Sequence, residues 1–121
     1  MMTKLDFDDV LIVPQFSDIT SRSQVDLTTT LQGCHGAQIT GVPIIAANMD
    51  GVGTFSMHHS LKKFGMFTAI TKHHVLGDWL AQQDVSHAFI TIGMNDEELQ
   101  KAMSIVKVWK DRVSKFTPKI V

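Results

Sequence analysis

The sequence predicts an α/β fold built on a parallel sheet, and three features carry that expectation. Compact apolar runs recur after Gly41, at residues 42–47, 66–70 and 87–92. Stretches with helical spacing separate them. The resulting order, strand then helix repeated, requires crossover connections, so the sheet is either an open doubly wound one or a barrel.

The elements follow in chain order. Residues 5–13, ending before Pro14, have an apolar face broken by Asp6, Asp8 and Asp9, which reads as an irregular lead-in with a short strand. Between Gln24 and Leu31 the residues Val25, Leu27 and Leu31 alternate with polar ones, the period of a half-buried strand. Gly33 and Gly36 mark a turn, and residues 37–40 pair back to complete a β-hairpin. The nearly continuous apolar run 42–47 suits a strand buried on both faces. Thr54 is a natural N-cap for a helix whose Met57, Leu61 and Phe64 share a face, with Gly65 as its left-handed stop. A strand at 66–70, a helix at 76–83 and a strand at 87–92 come next. Asn95 caps a longer helix with Asp96, Glu97 and Glu98 at the positive end of its dipole. Leu99, Ala102, Met103, Val106 and Val113 form the expected apolar stripe of that helix, and Lys115 lies near its end. Residues 119–121, after Pro118, read as the start of a fourth strand. No repeat, low-complexity tract or linker divides the chain, so residues 1–121 read as a single incomplete domain.

Composition excludes several classes of function. With 44% hydrophobic and 19% charged residues and a formal charge of −1, the chain has globular character and no basic cluster of the kind that nucleic-acid backbones require. No apolar run approaches the roughly 20 residues that span a bilayer, and acids at the start argue against a secretory signal, so the expectation is a cytoplasmic protein without a membrane partner. The single cysteine, Cys34, cannot form an internal disulfide and has no local histidine motif, which fits a thiol in a reducing compartment. Six histidines include the adjacent pairs His58-His59 and His73-His74, whose side chains diverge, and no metal site is expected from them. Trp79, Trp109 and the scattered phenylalanines read as packing residues.

Residues able to carry chemistry lie where parallel α/β folds place ligands, at the C-terminal ends of strands. The segment Asn48-Met49-Asp50-Gly51-Val52-Gly53 follows the first buried strand, and its glycines either admit a ligand to the backbone or serve a tight connection with Asp50 as a surface carboxylate. Thr71-Lys72-His73-His74 follows the second strand at the same rim. Lys72 there either neutralises a phosphate or assists proton transfer, or belongs to a solvated basic loop. In Ser21-Arg22-Ser23 the guanidinium flanked by hydroxyls either grips a phosphate or is plain surface.

The strings Leu5-Asp6-Phe7-Asp8-Asp9-Val10-Leu11, Ser21-Arg22-Ser23-Gln24-Val25-Asp26-Leu27, Gly41-Val42-Pro43-Ile44-Ile45-Ala46-Ala47-Asn48-Met49-Asp50 and Phe67-Thr68-Ala69-Ile70-Thr71-Lys72-His73 together resemble GMP reductase. The sister family, IMP dehydrogenase, shares the first string but usually lacks the Asn before Met49 and the Gly53-Thr54-Phe55 that follows. The resemblance implies a partial (β/α)8 TIM barrel, its first three βα units preceded by the hairpin, which covers the N-terminal end of the barrel. About five units of the whole barrel, which needs roughly 200–250 residues, lie outside these residues. It further implies an NADPH-dependent oxidoreductase of purine metabolism that converts GMP to IMP and ammonia, a homotetramer with a potassium ion in its full-length form. The nucleophilic cysteine and the potassium-binding segment of that family have no counterpart in this chain, and Cys34 does not match the cysteine.

By the same resemblance Ser21 and Arg22 contact NADPH across a subunit boundary, and Lys72 is a cofactor-site lysine with a catalytic part in ammonia release. Asn48, Met49 and Asp50 fall on the loop that lines the purine nucleotide pocket. One departure stands out: Thr91-Ile92-Gly93-Met94 aligns with a stretch that in some members reads Ser-Thr-Gly-Thr, so Met94 replaces a hydroxyl. The expected function is that of an N-terminal portion of such an enzyme, inactive alone. The alternatives are a non-catalytic module that pairs with an intact subunit, or part of an IMP dehydrogenase.

Overall fold

In the computed structural model, which describes residues 4–32, 38–112 and 119–120, backbone hydrogen bonds build two sheets of different kind. β1 (Thr29–Gln32) and β2 (Gln38–Gly41) pair antiparallel with Thr30 opposite Thr40, whose hydroxyls lie 2.9 Å apart. The expected hairpin is present, but its first strand begins at Thr29 rather than Gln24, because Arg22–Gln24 closes into a capped 3-10 turn, and its residues are exposed rather than half-buried. Its turn, with Gly33, Cys34, Gly36 and Ala37, lies outside the described residues.

The second sheet is parallel, in the order β3 (Ile45–Ala46), β4 (Phe67–Ile70), β5 (Ala88–Ile90), β6 (Lys119–Ile120). Between its strands run α1 (Phe55–Leu61), α2 (Leu76–Leu80) and α3 (Asp96–Arg112). The predicted alternation and the start of a fourth strand are therefore present. Val113, Lys115, Pro118 and Val121 lie outside the described residues.

One face of this sheet carries the core. Ile70, Ala88 and Ile90 pack with Trp79 and Val85 and with Ala102, Ile105 and Trp109 of α3, all buried. Phe55 of α1 joins them, its ring edge-on to Trp79 at 5.1 Å. Because strand side chains alternate, Phe67 and Phe89 fall on the opposite face, with ring centroids 5.5 Å apart. The hairpin's end reaches that face: a Cβ on Gly41 would lie 2.6 Å from the Gly65 carbonyl and 2.7 Å from the Phe67 ring, so only glycine fits there.

Five further expectations are corrected. Residues 5–13 form no strand. Phe7–Asp9 is a 3-10 turn closed by reciprocal bonds, Asp6 accepting from Phe7 N–H and Asp9 accepting from Asp6 N–H, and these local bonds replace strand pairing. Strand 42–47 shrinks to two residues and is not buried on both faces, with Ile44 and Ile45 each 51% exposed. The reason is local: Pro43 has no N–H and Ile44 N–H turns back to the Val42 carbonyl at 2.7 Å. Among the described residues β4 is its one strand neighbour.

In α1 the Met57, Leu61, Phe64 face is broken, because the helix tightens into a 3-10 turn at Lys62–Phe64 and swings Phe64 out to 68% exposure, while His58 is buried instead. α2 stops at Leu80, three residues early. There Ala81 N–H reaches the Gly77 carbonyl, and the Gln82 side chain takes the Asp78 carbonyl at 2.8 Å, leaving no acceptor row to extend. On α3 the buried positions are Ala102, Ile105 and Trp109, whereas Leu99 and Met103 of the expected stripe are exposed. The two largest side chains on the helix's inner side set its rotation.

Candidate functional site

The C-terminal ends of β3, β4 and β5 bring three loops to one rim. In the first, Met49 carbonyl accepts from Val52 N–H at 2.9 Å and Gly53 N–H at 2.7 Å, a tight turn that leaves Asn48, Met49 and Asp50 exposed. Gly53 carbonyl then accepts from Thr71 N–H at 2.9 Å, tying this loop to the end of β4. A Cβ on Gly53 would run into the Ala69 carbonyl and lie 3.0 Å from both the Ala47 carbonyl and Asn48 Cα. Gly53 is thus a packing glycine, whereas Gly51 faces open space. Thr54 closes the loop into α1 by accepting from Met57 N–H at 3.1 Å.

The second loop places Lys72 and His73 against acids from its neighbours. His73 Nε2 lies 3.5 Å from Asp50 Oδ1, and Lys72 Nζ lies 3.4 Å from Glu98 Oε1 on the first turn of α3. Glu98 also accepts from the Gly93 N–H of the third loop, and Lys101 Nζ donates to the Lys72 carbonyl at 2.6 Å. Asn95 caps α3 as expected, accepting from Glu98 N–H at 2.8 Å. His74 pairs with Asp78 at 3.3 Å, and the Asp78 carboxyl is held below the usual range first by the Val75 N–H.

Exposure decides what this arrangement can do. The cavity bordered by Thr71, Lys72, Thr91, Glu98 and Lys101 is about 10 Å³, room for no more than one water. On the outer side of the rim the Lys72 side chain is 52% exposed and its ammonium meets solvent. Thr91 Oγ1 is buried there without a partner, and Met94 beyond it is fully exposed.

Asp50 and Lys72 are thus on adjoining loops of one rim. Ser21 and Arg22 belong to a separate exposed 3-10 turn, Arg22–Gln24, capped by Ser21 and closed by Gln24 Oε1 on Ser21 N–H. The hydrogen bonds that shape it lie within residues 20–25. Sequence reasoning missed Glu98 as the partner of Lys72, reading it only as a dipole charge. Contacts 26 positions apart leave no periodic signal. Among the described residues no three of His, Cys, Asp and Glu gather into a possible metal site. None of the described helices is long and apolar enough to cross a membrane.

Comparison with known proteins places the chain in a family. Residues 4–111 match the family profile described as IMP dehydrogenase / GMP reductase domain. The chain is 42% identical over 117 residues to the GMP reductase of Photobacterium profundum, covering 91% of this chain and 34% of that protein. To the GMP reductase of Klebsiella pneumoniae it is 44% identical over 110 residues, 85% of this chain and 32% of that one. To GMP reductase 2 of Bos taurus it is 54% identical over 77 residues, 63% of this chain and 22% of that one. A crystal structure of inosine 5′ monophosphate dehydrogenase from Legionella pneumophila superposes with a TM-score of 0.57 at 26% identity, over 82% of this chain and 31% of the other. The chain spans about a third of the length of the first two curated relatives.

Proposed function

The chain belongs to the IMP dehydrogenase / GMP reductase domain family, and from that premise we propose that it forms the N-terminal third of an NADPH-dependent GMP reductase, which converts GMP to IMP and ammonia. Residues 1–121 form one incomplete domain in this reading, the first three βα units of a (β/α)8 barrel behind an N-terminal hairpin. The observation that carries it is the convergence of the Asn48–Asp50 turn and Lys72 on one rim at the strand C-termini, within a chain whose relatives named above as GMP reductases are 42–54% identical.

The roles follow from charge and exposure. Asn48, Met49 and Asp50 line the purine nucleotide on the β3 side. Lys72, a mobile point charge on a solvent-facing stem, holds an anionic group and moves a proton near the leaving ammonia. Ser21 and Arg22, presented on an exposed capped turn, bind the cofactor of a neighbouring subunit in a homotetramer. The fit to NADPH rests on one observation: Lys72 and Arg22 are both exposed cations, able to meet its phosphates. NADPH, when bound, supplies the hydride that reduces the purine.

The cysteine nucleophile and the potassium ligands belong to a segment not contained in these 121 residues, so a protein of these residues alone does not turn over GMP. The enzyme works in the cytoplasm. The IMP dehydrogenase alternative draws on the Legionella superposition, but its 26% identity is well below the 42–54% of the reductases above.

A chimaera tests this reading. Residues 4–111 replace the matching third of the Photobacterium profundum enzyme, and GMP-dependent NADPH oxidation is measured. Activity in the chimaera with none in the 121-residue chain supports the reading. A folded, correctly assembled chimaera that binds neither GMP nor NADPH overturns it.

A further inference from the structure

His58 is the one histidine among the described residues that is fully buried, and its two ring nitrogens have unequal surroundings. Nε2 lies 3.0 Å from the Asp84 carbonyl. A carbonyl only accepts, so Nε2 carries the hydrogen and Nδ1 is left as a bare lone pair, buried with no partner. One turn later, at the C-cap of α1, Lys62 Nζ meets Asp84 Oδ2 at 3.0 Å, and Asp84 Oδ1 accepts from Ser86 N–H at 2.8 Å. The last turn of α1 is therefore fastened to the turn before β5 by one neutral and one ionic link to the same residue.

We propose that His58 is an acid-sensitive latch: its neutral ring donates from Nε2 to the Asp84 turn, and protonation, which leaves that bond in place, adds a buried charge and an unpartnered Nδ1–H that loosen α1 and the site loop it anchors. A second proton must go to Nδ1, where no acceptor waits. The charged groups facing the ring are His59 and Lys62 on α1 and Asp84 on the turn; β4, packed against α1, contributes Phe67, Thr68, Ala69 and Ile70, none of which titrates. Burial first, and then the positive charge of His59 and Lys62, depress the proton affinity of His58, against the opposing pull of Asp84.

The sign follows. A folded-state pKa below the unfolded value of 6.5 means that the unfolded chain takes up the proton first, so the latch's contribution is complete above pH 6.5 and is lost as pH falls through the folded pKa. The loosening reaches the site because Thr54, the N-cap of α1, directly follows the Asn48–Gly53 loop and its Gly53-to-Thr71 bond.

The test is NMR of the full chain. The imidazole resonances of His58 should titrate below 6.5, and the amide protons of Lys62 and Ser86 should lose exchange protection in the same pH range. After correction for intrinsic exchange, that loss should be between about threefold and tenfold per pH unit, tenfold being the limit for one proton. Ile105 in the middle of α3 should not respond. His58→Gln, whose amide can still donate to the Asp84 carbonyl but does not titrate, should remove the pH dependence. A His58 pKa at or above 6.5 in the unaltered chain overturns the proposal even if the variant does not fold, as does an unchanged acid response in a folded variant.

Discussion

Residues 4–28 and residues 42–112 are both rich in large apolar side chains, yet they meet opposite fates. In the first, Phe7, Leu11, Ile12 and Phe16 are 94–97% exposed, and only reciprocal caps at Asp6–Asp9 and Ser21–Gln24 give local shape. In the second, Ile70, Val85, Ala102 and Ile105 are fully buried. The difference is register with a partner. Helical spacing of 102, 105 and 109 matches the pleat of β4 and β5, whereas the apolar face of residues 5–13 and the alternation at Val25 and Leu27 meet no described element that covers them. Hydrogen bonds of a capped turn, each contributing on the order of 1 kcal/mol in net terms, do not anchor a segment that has no fully buried side chain among its described residues.

The sharpest way to break this comparison is to cut into each region. Trp79→Ala should destabilise the chain by about 3–5 kcal/mol in urea unfolding, since it empties a fully buried ring site against Phe55 and the core. Leu11→Ala and Phe16→Ala should each change stability by less than about 0.5 kcal/mol. Equal losses in both regions would mean that the N-terminal segment is packed after all.

Gly53→Ala should come next, at about 1–3 kcal/mol, because the added methyl meets backbone on the end of β4 and cannot be absorbed by a rotamer change. The matching change at Gly51, which faces open space, should be far milder. Thr54→Ala removes the cap of α1 and should cost about 1 kcal/mol, read from the same unfolding curves.

In the second region two groups fastened to each other should respond to acid in turn. The first response, below pH 6.5, comes from His58. The second comes from Asp84: burial pushes its carboxyl up, but bonds from Ser86 and Lys62 outweigh that and hold it low. Its contribution is present above the ordinary carboxylate value of 3.8 and fades as pH falls through the lower folded value. Amide hydrogen exchange across this pH range, corrected for intrinsic rates, offers the mildest check. Amides of Leu11, Ile12 and Phe16 should be unprotected at every pH, while those of the core open only at the acid end.

How much was legible in the sequence follows the same division. Apolar runs, Asn95, Thr54 and Gly65 (φ 70°) marked the βα alternation, because capping and left-handed stops are local chemistry. Element lengths were less legible, since the Gln82 bond to Asp78 and the Ile44 turn at Pro43 act through individual side chains that no period records. At the rim, Asp50 and Lys72 were readable from their place after apolar strands. Glu98 and the buried ring of His58 were not, because each depends on a contact across 26 positions that only the folded chain creates.

The central claim, that Lys72 on this rim serves a GMP reductase, is tested most directly by Lys72→Gln in the chimaera carrying residues 4–111. The account predicts a fall in kcat for GMP-dependent NADPH oxidation of about 100-fold, the scale of a lost proton-transfer group, with folding and assembly intact. Unchanged kcat and unchanged KM for NADPH in that variant would contradict it and return Lys72 to the role of an ordinary surface partner of Glu98.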